Sequence, residues 1–217
     1  MENKTKITNP LALGVLTHLY EKPRHPYDLA GSLRARGREQ CVRINYGSLY
    51  TVINMLLKNN YIRELETKRE GNRPEKTVYA ITNEGKDFMA KWMRELLSIP
   101  VKEFPQFQAA LSFLPVLSPE EVVSLLETRL ILLQKNIDAI KNNLQTGEML
   151  KMSRVFTIAL EYEEKLLKTE CELIRSFIDD IKKNKKGLTT FWKKLREEKL
   201  SNRKDFQKKG RDKKWQK

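Results

Sequence analysis

The sequence predicts a mainly α-helical chain with one small β-hairpin: a front unit of short helices, a region of long helices, and a basic tail. Three observations predict this. Apolar residues recur at helical spacing through most of the first 181 residues. Two short β-branched and aromatic runs flank a polar stretch containing Gly71-Asn72, which is a hairpin pattern. Charge divides the chain into three compartments. Residues 1–97 hold 17 Lys/Arg against 11 Asp/Glu, residues 98–181 hold 9 against 13, and residues 182–217 hold 16 against 4.

The elements follow in order. Asn9-Pro10 caps and opens a first helix, which places Leu13, Leu16 and Tyr20 on one face. Lys22-Pro23-Arg24-His25-Pro26 breaks the chain, and Pro26 opens a second helix carrying Leu29 and Leu33. Asn45 caps a third helix, in which Leu49, Val52, Ile53 and Leu56 form a buried stripe. Residues 61–65 and 77–81 read as the two strands of the hairpin. Thr82 caps a fourth helix with Phe88, Met89, Trp92, Met93 and Leu96 on its apolar face. Three helices, a hairpin and a helix in that order make a winged helix-turn-helix domain, predicted over residues 1–97.

Pro100, Pro105 and Pro115 then keep any helix short. Ser118-Pro119-Glu120-Glu121 is a clean helix start. The helix it opens carries Val123, Leu126, Leu130, Leu133, Ile137, Ile140 and Leu144, spaced alternately by three and four residues. That heptad stripe predicts a dimerisation seam, although an intramolecular core fits the same spacing. A second long helix, over residues 148–181, has two apolar faces, Tyr162, Leu166 and Leu173 on one and Leu167, Ile174 and Ile178 on the other. One face can pack within the chain and the other across a twofold. Residues 98–181 are thus predicted to be an α-helical dimerisation domain. From Lys182 the large apolar residues keep no period, and residues 182–217 read as a basic, disordered tail with room for one short helix near Phe191.

A formal net charge of +14 favours an anionic partner. The exposed face of the third helix offers Tyr46, Ser48, Tyr50, Thr51, Asn54 and Lys58, side chains that hydrogen-bond phosphates and base edges. Tyr27 on the second helix joins this set, and the hairpin adds Arg69, Asn72, Arg73 and Lys76 for backbone contact. The blander reading makes Tyr27 and Tyr50 packing aromatics and the wing charges a solvated loop. His18 and His25 are isolated, and Cys41 and Cys171 have no metal or disulfide spacing. With no nucleophile–base set, metal cluster or phosphate loop, the sequence predicts neither enzyme nor metal site nor cofactor. No apolar stretch reaches bilayer length, so a cytoplasmic chain without membrane partner is expected.

The stretch from Leu11 to Leu97 closely resembles the PadR family of winged-helix transcription regulators. The match is carried by His25-Pro26-Tyr27-Asp28-Leu29, Gly47-Ser48-Leu49-Tyr50, Asn60-Tyr61-Ile62, Arg73 to Tyr79 and Ile81-Thr82-Asn83-Glu84-Gly85. Pro26 stands where the family commonly has Gly. A weaker match through Phe107 to Leu117, Ser118 to Glu121 and Ala159 to Tyr162 resembles the longer subfamily with a helical C-terminal domain. The resemblance implies a dimeric repressor on double-stranded DNA with an inverted-repeat operator, released in some members by small aromatic acids or drug-like compounds. By analogy, the effector space lies between the winged helix and the C-terminal helices, near Phe107, Phe113, Phe156 and Tyr162. The tail has no counterpart in this resemblance. The alternative is a sequence-tolerant, architectural nucleic-acid-binding protein whose tail supplies most of the affinity.

Overall fold

The computed structural model describes residues 7–35, 44–68 and 76–198. Within them run α1 (Pro10–Glu21), α2 (Pro26–Ala35), α3 (Tyr46–Lys58), β1 (Ile62–Lys68), β2 (Lys76–Ile81), α4 (Asn83–Ser98), α5 (Gln106–Ser112), α6 (Pro119–Met149) and α7 (Ile158–Lys182). The chain divides into two compact units, residues 1–102 and 103–217.

In the first unit each helix starts where a polar side chain satisfies an end amide. Asn9 Oδ1 accepts from Leu11 N–H at 3.0 Å, and Thr82 Oγ1 accepts from Gly85 N–H at 3.0 Å. His25 does the same for α2, its Nδ1 accepting from Tyr27 N–H at 3.1 Å. Leu11, Val15 and Leu16 of α1 pack with Leu29 and Leu33 of α2 and with the Leu49, Val52, Ile53 and Leu56 stripe of α3. Tyr61, Phe88 and Trp92 extend this core as a run of rings, the first two stacked at 4.2 Å. His18 is buried in it, with Nδ1 2.9 Å from the Gly14 carbonyl oxygen.

The strands pair antiparallel with Ile62 opposite Ile81 and Glu64 opposite Tyr79; the register shifts between Leu65 and Lys68. Arg24 adds a third rung. Its N–H donates to Tyr79 O at 3.0 Å, and Tyr79 N–H donates back to Arg24 O at 2.9 Å. The Pro-flanked break after α1 is therefore a short edge of the sheet.

In the second unit Ser118 Oγ accepts from Glu121 N–H at 3.2 Å to start α6. Leu126, Leu133 and Ile137 of α6 are buried with Cys171, Ile174, Ile178 and Ile181 of α7. This corrects the expected dimer seam. Leu126, Leu133, Ile137 and Ile140 are buried within the chain, while Val123, Leu130 and Leu144 are half-buried, so the heptad stripe is the antiparallel seam between α6 and α7. The opposite face of α7, with Tyr162, Leu166 and Leu173, remains exposed.

Two further expectations change. The second long helix starts at Ile158, ten residues later than predicted, because Lys151 takes a left-handed conformation (φ 51°) that ends α6. Its amide and that of Met152 satisfy the carbonyls of Glu148 and Gly147, closing the helix end. The tail also begins as ordered structure. Residues 188–198 are helical, and Trp192 is 4% exposed inside the second core. One large aromatic needs no periodic stripe to dock, which is why periodicity missed it. Residues 199–217 lie outside the described residues. Among the described residues, no helix is long and apolar enough to cross a membrane, and no His/Cys/Asp/Glu group could hold a metal ion.

Candidate nucleic-acid interface

α3 presents its two faces by helical arithmetic. Leu49, Val52, Ile53 and Leu56 face the core, so Gly47, Tyr50, Thr51, Asn54 and Lys58 share the outer face, all exposed. Asn45 fixes where this face begins: its Oδ1 accepts from Ser48 N–H at 2.7 Å. Ser48 is half-buried beside that cap. The Thr51 hydroxyl donates to Gly47 O at 2.9 Å, which leaves its oxygen able to accept from outside. Between Tyr46 and Lys58 the helix carries no acidic residue.

Tyr46 does not stand alone. Tyr27, 66% exposed on α2, stacks on it with ring centres 6.1 Å apart and planes 16° from parallel. The Arg34 guanidinium lies 5.3 Å from the centre of the Tyr46 ring. Tyr27 and Arg34 are seven residues apart, on one side of α2, and both reach the start of α3. The three side chains form a single ledge with an aromatic body and a cationic edge. Sequence reasoning found both tyrosines and missed Arg34, whose spacing from Tyr27 was the available signal.

Tyr50 is 48% exposed and lies near Tyr79, which is 8% exposed on β2. Burial first, then the Glu64 charge across the hairpin, then Tyr50 and a hydrogen bond to Glu64 push the Tyr79 hydroxyl above the ordinary tyrosine value. Arg24 braces the same region, its guanidinium donating to Ser32 Oγ at 2.9 Å and pairing with Glu21 at 3.1 Å. The expected wing contacts Arg69, Asn72 and Arg73, and the side chain of Lys76, lie outside the described residues.

The four expected effector residues do not converge. Phe107 lines an apolar pocket of about 200 Å³ with Leu111, Leu114, Leu126, Leu173 and Phe177. Phe113, Phe156 and Tyr162 are exposed and do not line it. Their apolar character was legible in the sequence, but their side chains point away from the pocket. Arg129, unforeseen, sits 3.7 Å over the Phe107 ring and pairs with Glu170 at 2.6 Å.

Residues 15–91 match the model of the Transcriptional regulator PadR-like family. No curated protein sequence matches the chain. Among solved structures the chain is similar to Bacillus subtilis PadR in complex with operator DNA, at TM-score 0.66 and 19% identity over 81% of this chain and 99% of that one. It is similar to Bacillus subtilis PadR in complex with p-coumaric acid, at TM-score 0.63 and 17% identity over 79% and 98%. It is also similar to smu.1604c from Streptococcus mutans UA159, at TM-score 0.57 and 20% identity over 82% and 99%. These likenesses establish a shared fold of winged helix and helical C-terminal region. Over residues 15–91, the chain carries the winged-helix domain of the Transcriptional regulator PadR-like family.

Proposed function

We propose that the chain is a transcription regulator, a repressor, that binds duplex DNA as a homodimer with α3 in the major groove. The single observation that carries this is the outer face of α3, where hydroxyl, amide, aromatic and ammonium groups stand exposed on a capped helix without an acid among them. Asn54 can pair bidentately with an adenine edge, and the Thr51 oxygen and Lys58 ammonium suit base or phosphate partners. The Tyr27–Tyr46–Arg34 ledge suits the sugar–phosphate strand beside the groove. A chain of the same fold has been captured on operator DNA, which supports this use of the surface.

The second unit is the dimerisation region in this reading. Its α6 stripe is used internally, so the exposed α7 face with Tyr162, Leu166 and Leu173 is the surface left for a second copy. Twofold symmetry then calls for an inverted-repeat site. A small aromatic effector would act by favouring a dimer with the wrong spacing of its two α3 helices. The same-fold complex with p-coumaric acid supports that class of effector. The protein acts by binding, in the cytoplasm, and catalyses nothing.

Selection of bound fragments from genomic DNA tests this. An enriched inverted repeat, preferred over random duplex at fixed salt, is expected. Equal affinity for all duplexes would instead favour a sequence-tolerant architectural protein.

A further inference from the structure

The basic sequence after α7 falls into two parts with different fates. In the first, the lysines are spent on the acidic helices. Lys182 pairs with Glu127 at 2.6 Å, Lys183 with Asp179 at 2.8 Å, Lys185 with Asp180 at 2.8 Å, and Lys193 with Glu120 at 2.5 Å. Asn184, in a left-handed conformation, turns the chain, and its Oδ1 accepts from Thr189 and Thr190 N–H at 2.9 and 3.1 Å. The Thr189 hydroxyl donates to Ile181 O at 2.6 Å. Trp192 then enters the core, near-parallel to Phe177 with ring centres 6.4 Å apart. Residues 183–198 are therefore a clasp that ties the start of α6 to the end of α7.

The second part has a different balance. Residues 199–217 hold nine Lys/Arg against two Asp, with Phe206 and Trp215 among them. The carboxylates facing the clasp, Glu120, Glu127, Asp179 and Asp180, are already taken by its own lysines. The excess charge of the last residues thus has no partner in that docking. Its point of attachment is fixed, because the described helix runs to residue 198. The solved neighbours are matched over 98–99% of their own lengths yet cover 79–82% of this chain, so part of it has no counterpart in them.

We infer that residues 199–217 are a second, sequence-independent contact to the phosphate backbone of duplex DNA, delivered from the Trp192 clasp. This rests on the proposed function. Each cation that neutralises a phosphate releases condensed counterions, so the contact is strongest at low salt and carries no sequence information. Tethering to a chain already held by α3 raises the local concentration of the segment at the duplex. The division also sets where the chain can be cut. Removing everything after Ile181 takes Trp192 out of the core, whereas ending the chain at Glu198 leaves the clasp whole.

The test compares the full chain, a chain ending at Glu198, and a full-length variant with Arg203, Lys204, Lys208, Lys209 and Arg211 replaced by Gln. Affinity for a random-sequence duplex is measured across a salt series, beside thermal unfolding and binding to vesicles of phosphatidylserine and phosphatidylcholine. Both altered chains should unfold as the full chain does. Their salt slope should flatten by about 0.9 log units per log unit of salt for each phosphate no longer neutralised. An unchanged slope overturns the inference, as does an unchanged slope with weakened binding to the anionic vesicles alone, which would assign the segment to lipid. The ratio of selected-site to random-duplex affinity reads the proposed function separately. A flattened slope with no site preference in any chain would uphold this inference and refute sequence-specific regulation.

Discussion

Trp192 donates its indole N–H to the carbonyl oxygen of Leu117, 3.1 Å away across 75 residues of chain. This one bond closes the residues after α7 onto the turn before α6. Trp192→Ala should cost about 3–5 kcal/mol of stability, read by denaturant unfolding, through reduced packing and the cavity left behind. Trp192→Phe keeps part of the packing on Phe177 and should cost less. An alanine variant as stable as the parent would mean that the clasp is not part of the core.

Gly85 stands at the second close junction. A Cβ there would lie 2.0 Å from the Tyr61 carbonyl oxygen, a backbone atom that cannot move aside without dragging β1. Gly85→Ala should therefore destabilise the first unit by about 1–3 kcal/mol or more. Unfolding midpoints of the isolated change in the full chain check this; equal midpoints would show that the junction relaxes at little cost.

The α6 stripe and the α7 face make opposite predictions. Asp at both Leu133 and Ile137 places charge in the intramolecular seam and should unfold the second unit. Asp at both Leu166 and Leu173 should leave the helical content intact and split the dimer. Circular dichroism with sedimentation separates the two, and a folded monomer from the first pair would restore the α6 stripe as the dimer seam.

Tyr79 supplies a pH dependence. Its folded pKa lies above the unfolded value, so the folded chain holds this proton where the unfolded chain has released it. The stabilisation is fully present below the ordinary tyrosine value near pH 10 and declines as pH rises through the folded value. Glu64→Gln removes a raising charge and should bring the Tyr79 titration down toward that ordinary value, followed by NMR of labelled tyrosine. An unmoved titration would leave burial as the sole cause.

Much of this architecture is legible in the sequence because its determinants are local. Asn9, Asn45, Thr82 and Ser118 mark helix starts by cap chemistry, and the α3 stripe separates inner from outer face by spacing alone. What escapes is what depends on partners distant in the chain. The heptads of α6 specify an apolar seam but not whose helix fills it. Trp192 docks through a single ring with no periodic signal, and Gly85 looks like a tolerated helix glycine until Tyr61 lies against it. Arg34 falls between: its spacing from Tyr27 was visible, but Tyr46 beneath both was not.

The central claim is that α3 reads sequence, and the most direct measurement is the ratio of affinities for a selected inverted-repeat site and a random duplex at one salt concentration. It should be made for the parent and for a variant with Thr51 and Asn54 both replaced by Ala. Both side chains are exposed, so the variant should keep its fold and dimer. The account predicts that the ratio falls by about 1–3 kcal/mol for each base-edge interaction removed, while affinity for random duplex changes little. A variant that still ranks the selected site above random DNA as strongly as the parent would contradict it.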